Sequence, residues 1–108
     1  MKIQSRKIFL AAGYNTISMG RGRKEFKPGQ TSNIEDLVVE AGRAVINQIP
    51  SADMIDEGVI GNFMAARFNR QAHLCALFPT IDQSLRYKPA IRVEGACASG
   101  GLALVSGM

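Results

Sequence analysis

Residues 89–105 read PAIRVEGACASGGLALV. This pattern predicts a strand near residues 89–94, centred on Ile91 and Val93, then a turn of small residues and the start of an apolar helix from Leu102. A side chain in such a turn lies at a helix N-terminus, where free amides and the helix dipole stabilise an anion. Cys97 lies there, so its thiol is either a nucleophile or a buried structural thiol beside a tight turn.

Two segments upstream predict a strand followed by a helix. Residues 7–13 form a continuous apolar run that ends at a glycine, as in a strand covered on both faces. A helix is predicted next, with a capping box from Ser32 to Glu35 and an end at Pro50. Gly42 lies within this helix, which it weakens relative to alanine, and it would let a neighbouring backbone come close. One face of the helix is apolar at helical spacing and contains Ile34, Leu37, Val38, Ala41, Val45 and Ile49.

The middle of the chain continues the alternation of strand and helix. A second strand is predicted at residues 58–61, and a second helix at residues 69–78, ended by Pro79. The apolar face of that helix contains Ala72, Cys75, Ala76 and Pro79. Strand and helix alternate three times, which predicts an α/β layered domain with a mainly parallel sheet. Because the last predicted helix is apolar and stops at Met108, we expect residues 1–108 to be the N-terminal part of a larger domain.

The composition excludes several classes of protein. With 108 residues, 46% hydrophobic and 20% charged, the chain is too apolar for a disordered tail and has length for one small domain. No apolar run approaches the roughly 20 residues that span a bilayer, and no signal peptide is evident, so we expect a cytoplasmic protein without a membrane span. Two cysteines and one histidine are too few for a disulfide framework or a zinc site. We therefore expect free thiols and no metal.

Basic residues are concentrated at the start of the chain, where residues 1–30 contain seven Lys or Arg and one Glu. Such a segment attracts phosphorylated ligands, acidic lipid or nucleic acid, although a solvated basic loop is the simpler interpretation. Residues 20–24 read GRGRK, which is a weak signal for phosphate binding because a third glycine is missing. Nucleic acid is not expected as a partner, since few aromatic residues accompany the basic ones.

Three short motifs together resemble the thiolase family. Residues 97–100, CASG, follow a predicted strand and resemble the family's nucleophile motif. Residues 61–63, GNF, resemble the Gly-Asn end of an earlier strand, and residues 70–72, RQA, resemble the segment that follows. No single motif is specific, but their order and spacing match from residue 7 onward.

The resemblance implies an acyltransferase that acts on coenzyme A thioesters. Cys97 would attack the thioester and carry the acyl group, which then passes to coenzyme A or to an acetyl-coenzyme A carbanion, with ping-pong kinetics. Coenzyme A thioesters would be substrates, and no resident cofactor is implied. The family fold has two similar α/β halves in five layers and is usually dimeric or tetrameric. This chain would supply the first part of the N-terminal half, and we expect a homo-oligomer when the protein is complete.

Some positions depart from the family pattern. Glu94 stands where an asparagine is common, and residues 13–16, GYNT, replace the usual Arg-Thr-Pro, as in divergent branches that resemble sterol-carrier-protein thiolases. The family's activating histidine and second cysteine have no counterpart here. His73 is expected to be a surface or structural residue, and Cys75 a core residue. The chain is therefore expected to be inactive without the remainder of a thiolase chain or a partner subunit.

Two other functions remain open at this point. A β-ketoacyl synthase relative would also place a cysteine at a strand–helix turn. Alternatively, the chain could be a non-catalytic fragment that acts as a binding or assembly module.

Overall fold

The computed structural model describes residues 6–18, 20, 22–25, 29 and 32–108. The helices and strands in this part are α1 (Ile34–Ile46), β1 (Gly58–Gly61), α2 (Ala65–Phe68), α3 (Phe78–Ile81), β2 (Ala90–Val93) and α4 (Ser99–Ser106). Short 3₁₀ turns lie between them, at Ala52–Met54, Leu74–Leu77, Gln83–Leu85 and Ala96–Ala98.

The described strands form a two-stranded parallel sheet. Gly58 lies opposite Ala90 and Gly61 opposite Val93, so the two strands run in register over four residues. Both strands lie within the predicted segments, and helices separate them along the chain. The predicted α/β class with parallel strands is therefore confirmed.

Helix α1 has a capping box one residue later than predicted. Asn33 Oδ1 accepts from Asp36 N at 2.8 Å, and Asp36 Oδ2 accepts from Asn33 N at 3.3 Å. An asparagine caps at least as well as a serine, so Asn33 replaces the predicted Ser32 as the cap. The helix also ends at Ile46 instead of Ile49, because Gln48 and Ile49 donate to carbonyls three residues back and tighten the last turn.

The strand predicted at residues 7–13 is absent, and this prediction is wrong for the structure. Residues 7–13 form no ladder, and Phe9 and Leu10 are 79% and 87% exposed. The chain is held instead by α1 and the turn after it, since Gln48 Nε2 donates to Gly13 O at 3.0 Å and the Tyr14 hydroxyl donates to Glu40 Oε1 at 2.7 Å. These bonds direct the segment along the helix. A strand needs a hydrogen-bonding neighbour, and the described residues provide none for residues 7–13.

The helix predicted at residues 69–78 is also wrong. Arg70 has a φ of 53°, a left-handed conformation that interrupts a right-handed helix. A 3₁₀ turn follows, and its three-residue period buries Leu74 and Leu77, whereas Ala72 and Ala76 are exposed. Pro79 lies in the first turn of α3 and begins that helix, because a proline there sacrifices no helical hydrogen bond.

The core consists of two small apolar clusters between α1 and the sheet. One contains Ala65, Leu74 and Leu77, and the other contains Phe78, Ile81 and Leu85. A Cβ on Gly42 would lie 2.5 Å from Ile81 Cγ2, so this glycine does allow a close approach, but the neighbour is a side chain and not the predicted backbone. Gly58 gives the Phe78 ring the same access to β1. These contacts anchor α3 between α1 and the sheet.

Helix α4 begins at Ser99, three residues before the predicted start at Leu102. It packs on β1 at Gly61, where a Cβ would overlap the Ser99 carbonyl. The turn between β2 and α4 is therefore shorter than the glycines suggested. Within the described part of the chain, no helix has the length and apolar character required to cross a membrane.

Candidate functional site

The turn from β2 to α4 carries the predicted nucleophile. Glu94 and Gly95 leave the strand, a 3₁₀ turn spans Ala96–Ala98, and α4 follows directly. Cys97 lies in the middle of this turn with an exposed, unbridged thiol. The thiol is thus accessible to solvent in the structure and is not buried, whereas the structural alternative requires a buried thiol.

Ser99 and Glu94 hold the backbone of this turn. The Ser99 hydroxyl accepts from Gly95 N at 3.0 Å and donates to Ala96 O at 2.7 Å, and Ser99 is 6% exposed. The Glu94 carboxylate accepts from Ala96 N at 2.7 Å. A further bond from Ala98 N to Gly95 O, at 2.9 Å, closes the 3₁₀ turn. Four hydrogen bonds therefore fix the residues on either side of Cys97.

Glycines bring α4 close to the strands. A Cβ on Gly95 would collide with Leu102 Cδ1, and a Cβ on Gly61 would collide with the Ser99 carbonyl. The collision at Gly61 cannot be relieved by a side-chain movement, because the neighbouring atom is backbone, whereas the end of the Leu102 side chain can move away from Gly95. Gly61 therefore needs glycine for close approach, and it fixes the start of α4 against the sheet.

Asn62 joins the end of β1 to the strand that leads to Cys97. Its N–H donates to Val93 O at 3.1 Å, its Oδ1 accepts from Ala65 N at 2.8 Å, and its carbonyl accepts from Arg92 Nη2 at 2.9 Å. Arg92 Nε is buried and has no hydrogen-bond partner in the described part of the chain. The Gly-Asn motif that supports the family resemblance is therefore a structural connection between β1, α2 and β2.

His73 and Cys75 lie on the segment before α3. His73 is exposed, as expected for a surface residue, and both its ring nitrogens lie 3.8 Å from Cys75 Sγ. Cys75 is half-buried and belongs to neither core cluster, so its assignment to the core needs correction. Its neighbour Leu74 occupies the core position instead, because of the 3₁₀ period. Among the described residues, no three His, Cys, Asp or Glu side chains lie close enough to hold a metal ion.

The basic loop is described only in part. Arg23 N donates to Gly20 O at 3.0 Å, and Gly22 has a φ of 90°, which together make a tight turn. Arg21 lies outside the described residues. No bond in the described part joins this loop to the turn around Cys97, so the suggested contact of its arginines with coenzyme A phosphates stays a prediction.

Sequence reasoning did not identify the residues that hold the turn. A serine four residues after Gly95 is a signal for a side-chain bond at the start of a helix, and it could have identified Ser99. Ala96 has a φ of 48°, a left-handed conformation that an alanine gives no reason to expect. Glu94 stood out as a departure from the family pattern, but its bond to Ala96 N is visible only in the structure.

Two curated proteins with the same name are similar to this chain. An acetyl-CoA acetyltransferase from Methanothermobacter thermautotrophicus is 40% identical over 78 residues, which cover 70% of this chain and 20% of that protein. An acetyl-CoA acetyltransferase from Methanocaldococcus jannaschii is 38% identical over 88 residues, which cover 80% of this chain and 22% of the relative. The chain thus spans about a fifth of the length of these relatives. No protein-family profile matches it. The motif around Cys97 and the similarity to these two relatives together support the interpretation of the chain as a segment of a thiolase-family protein.

Proposed function

We propose that this chain is the nucleophile-bearing segment of a thiolase-type acyltransferase, with Cys97 as the acyl carrier. The observation that carries the proposal is the exposed Cys97 thiol in a rigid strand–helix turn. The names of both relatives favour an acetyltransferase over a β-ketoacyl synthase. No observation favours a β-ketoacyl synthase.

The chemistry proposed for Cys97 is an exchange between two thioesters. The Cys97 sulfur attacks the carbonyl carbon of an acyl-coenzyme A, a new carbon–sulfur bond forms, and the bond to coenzyme A breaks. The thiol proton leaves with the coenzyme A sulfur, so the step is redox-neutral. The N-cap of α4, Ala98, makes no side-chain hydrogen bond to the first amides of the helix, and we propose that these amides stabilise the oxyanion of the tetrahedral intermediate.

The second half-reaction needs groups beyond this segment. Either coenzyme A or an acetyl-coenzyme A carbanion accepts the acyl group from Cys97, and both routes need a base to remove a proton. The His73 ring contacts Cys75 Sγ, and no hydrogen bond in the described part of the chain links His73 to Cys97. We propose that the base and a second cysteine come from the remainder of a longer chain or from a partner subunit. We also place the complete protein in the cytoplasm as a homo-oligomer.

Acetylation of Cys97 is the direct test. The protein with its complete natural chain is incubated with acetyl-coenzyme A, digested under conditions that preserve thioesters, and its peptides are weighed by mass spectrometry. We expect one acetyl group on the peptide that contains Cys97. Coenzyme A should be released in equal amount, because the exchange is stoichiometric.

The two cysteines provide a matched pair of variants. Cys97→Ala should abolish acetyl incorporation, whereas Cys75→Ala should retain it. Acetyl incorporation on Cys75, or on neither cysteine, would contradict the proposal. If neither cysteine is acetylated, the interpretation as a binding or assembly module is favoured instead.

A further inference from the structure

Glu94 makes a local bond that no other side chain of the turn can replace. Its Oε1 lies 2.7 Å from Ala96 N, and the acceptor is a charged carboxylate, which makes such bonds short and strong. Ser99 holds Gly95 N and Ala96 O, but it does not reach Ala96 N. The amide of residue 96 therefore depends on Glu94.

Ala96 is the residue of the turn whose conformation needs support. Its φ of 48° lies in the left-handed region, which a residue with a Cβ enters only at a cost in free energy. In the described part of the chain, Arg70 is the other non-glycine residue with a positive φ. A bond to the Ala96 amide opposes rotation of this residue back to a right-handed conformation.

The conformation of Ala96 determines where the Cys97 side chain points. Cys97 is the next residue, so a change in φ or ψ at Ala96 rotates the Cα–Cβ bond of Cys97 relative to β2 and α4. The Ser99 hydroxyl bonds the two peptides that flank the Gly95–Ala96 peptide, through Gly95 N and Ala96 O. The Gly95–Ala96 peptide itself is held at its carbonyl by Ala98 N and at its N–H by Glu94, so loss of the Glu94 carboxylate leaves its N–H without a bond.

We propose that Glu94 is a positioning residue for acyl transfer, whose carboxylate keeps Ala96 left-handed and thereby aims the Cys97 thiol at the thioester. The proposal rests on the proposed function of Cys97. It assigns no proton transfer to Glu94, which acts through the backbone and not on the substrate. The role thus requires an oxygen acceptor at residue 94 and does not require its negative charge.

The test is the rate of Cys97 acetylation in a single turnover, measured with acetyl-coenzyme A on the protein with its complete natural chain. Glu94→Ala should slow acetylation about tenfold at saturating acetyl-coenzyme A, with the half-saturating concentration unchanged. Glu94→Gln keeps an oxygen acceptor and should remain within about threefold of wild type. In Glu94→Ala/Ala96→Gly, glycine adopts the left-handed conformation without a Cβ, and the rate should return to within about threefold.

The double variant separates positioning from other roles of Glu94. Glu57, exposed before β1 as Glu94 is exposed after β2, provides the control variant Glu57→Ala, which should acetylate at the wild-type rate. Unfolding midpoints of all variants are measured, and rates are compared where each protein is folded. If Glu94→Ala itself does not fold, the acetylation rates of Glu94→Gln and of the double variant are compared with each other to test the proposal.

Three results would overturn the proposal. If Glu94→Ala acetylates as fast as wild type, Glu94 does not position the thiol, although the function of Cys97 stands. If Glu94→Gln is as slow as Glu94→Ala and Ala96→Gly does not rescue, the charge of Glu94 acts on the reaction directly. If wild-type Cys97 is not acetylated, the proposed function fails first and the role of Glu94 fails with it.

Discussion

Asp82 ends α3 and holds the 3₁₀ turn that brings the chain towards β2. Its Oδ1 accepts from Ser84 N at 2.9 Å and from Ser84 Oγ at 2.6 Å. Both bonds favour the ionised carboxylate, the hydroxyl bond most, and Arg43 adds a smaller attraction, so the pKa of Asp82 lies below its ordinary value of 3.8. The turn includes Leu85, which is 1% exposed, and the cap therefore positions a core residue.

The lowered pKa of Asp82 predicts the sign of a pH effect. A carboxyl whose folded-state pKa is depressed stabilises the fold above its unfolded-state pKa, and this contribution is lost as the pH falls through the folded-state value. Asp82→Ala should therefore lower the urea unfolding midpoint at about pH 6 and lower it less at about pH 3. Ser84→Ala removes the hydroxyl donor, so it should also reduce how strongly the urea unfolding midpoint depends on pH. A difference that is equal or larger at the acidic pH would contradict this assignment.

At the level of single residues, the sequence predicted the place of Cys97 but not its support. A cysteine among small residues after an apolar strand is a local pattern, and the structure has it exposed in the expected strand–helix turn. The left-handed Ala96 and its bond to Glu94 depend on how β2 meets α4 in space. Side-chain spacing carries no information on that backbone geometry, so a prediction of the support was not possible.

Helices and strands were predictable where periodicity alone determines them. Helix α1 has a long apolar face, and β1 and β2 are bounded by glycine or proline, so their places follow from local sequence. Residues 69–78 were not predictable in this way. Their apolar positions fit an α-helix and a 3₁₀ turn about equally, and tertiary packing of Leu74 and Leu77 decides between the two.

Residues 7–13 illustrate the second limit on predicting elements. The apolar run has strand propensity, but a strand forms only where a neighbour completes its hydrogen bonds. In the structure Tyr14 donates a hydrogen bond to Glu40 of α1, and Gly13 accepts one from Gln48 in the turn after α1. Whether the run forms a strand therefore depends on contacts that a local pattern does not encode.

The contact between α4 and β1 at Gly61 predicts the largest effect of a single methyl group. In Gly61→Ala the new Cβ meets the Ser99 backbone, so the start of α4 must move away from the sheet. We expect a loss of about 1–3 kcal/mol in unfolding free energy, as for other overpacked cores. Slower acetylation of Cys97 should accompany it, because Ser99 holds the turn. The measurements are urea unfolding and the single-turnover rate.

Gly101→Ala is the matched control on the same helix. No atom lies within 4 Å of a Cβ at Gly101, and alanine has the higher helix propensity. This variant should therefore gain up to about 1 kcal/mol and acetylate at the wild-type rate. Equal behaviour of the two variants would show that the Gly61 contact does not position α4.

At the scale of the whole molecule, the chain covers little of its apolar surface. Its radius of gyration is 15.5 Å, against about 13 Å for a compact domain of this size. An apolar groove of about 560 Å³ separates residues 8–10 from β1 and α4, and a second of about 390 Å³ lies between α1 and β1. On α4, Leu104 and Val105 are 60% and 67% exposed. Surfaces of this kind are typical of interfaces with other protein segments.

Because one face of α4 is exposed, Val105→Lys should affect the stability of two forms of the protein differently. The 108-residue chain alone should bind a hydrophobic dye such as ANS strongly, because its grooves and α4 are open to solvent. In this form Val105→Lys should reduce dye binding and change the unfolding free energy by less than about 0.5 kcal/mol, since the site is a surface.

In the complete natural chain, where we propose that further segments cover α4, Val105→Lys should destabilise by several kcal/mol, because it buries an unpaired charge. Ser106→Lys tests whether a lysine near the end of α4 suffices to cause these effects. Weak dye binding by the short chain, or a neutral Val105→Lys in both forms, would mean that α4 needs no covering segment.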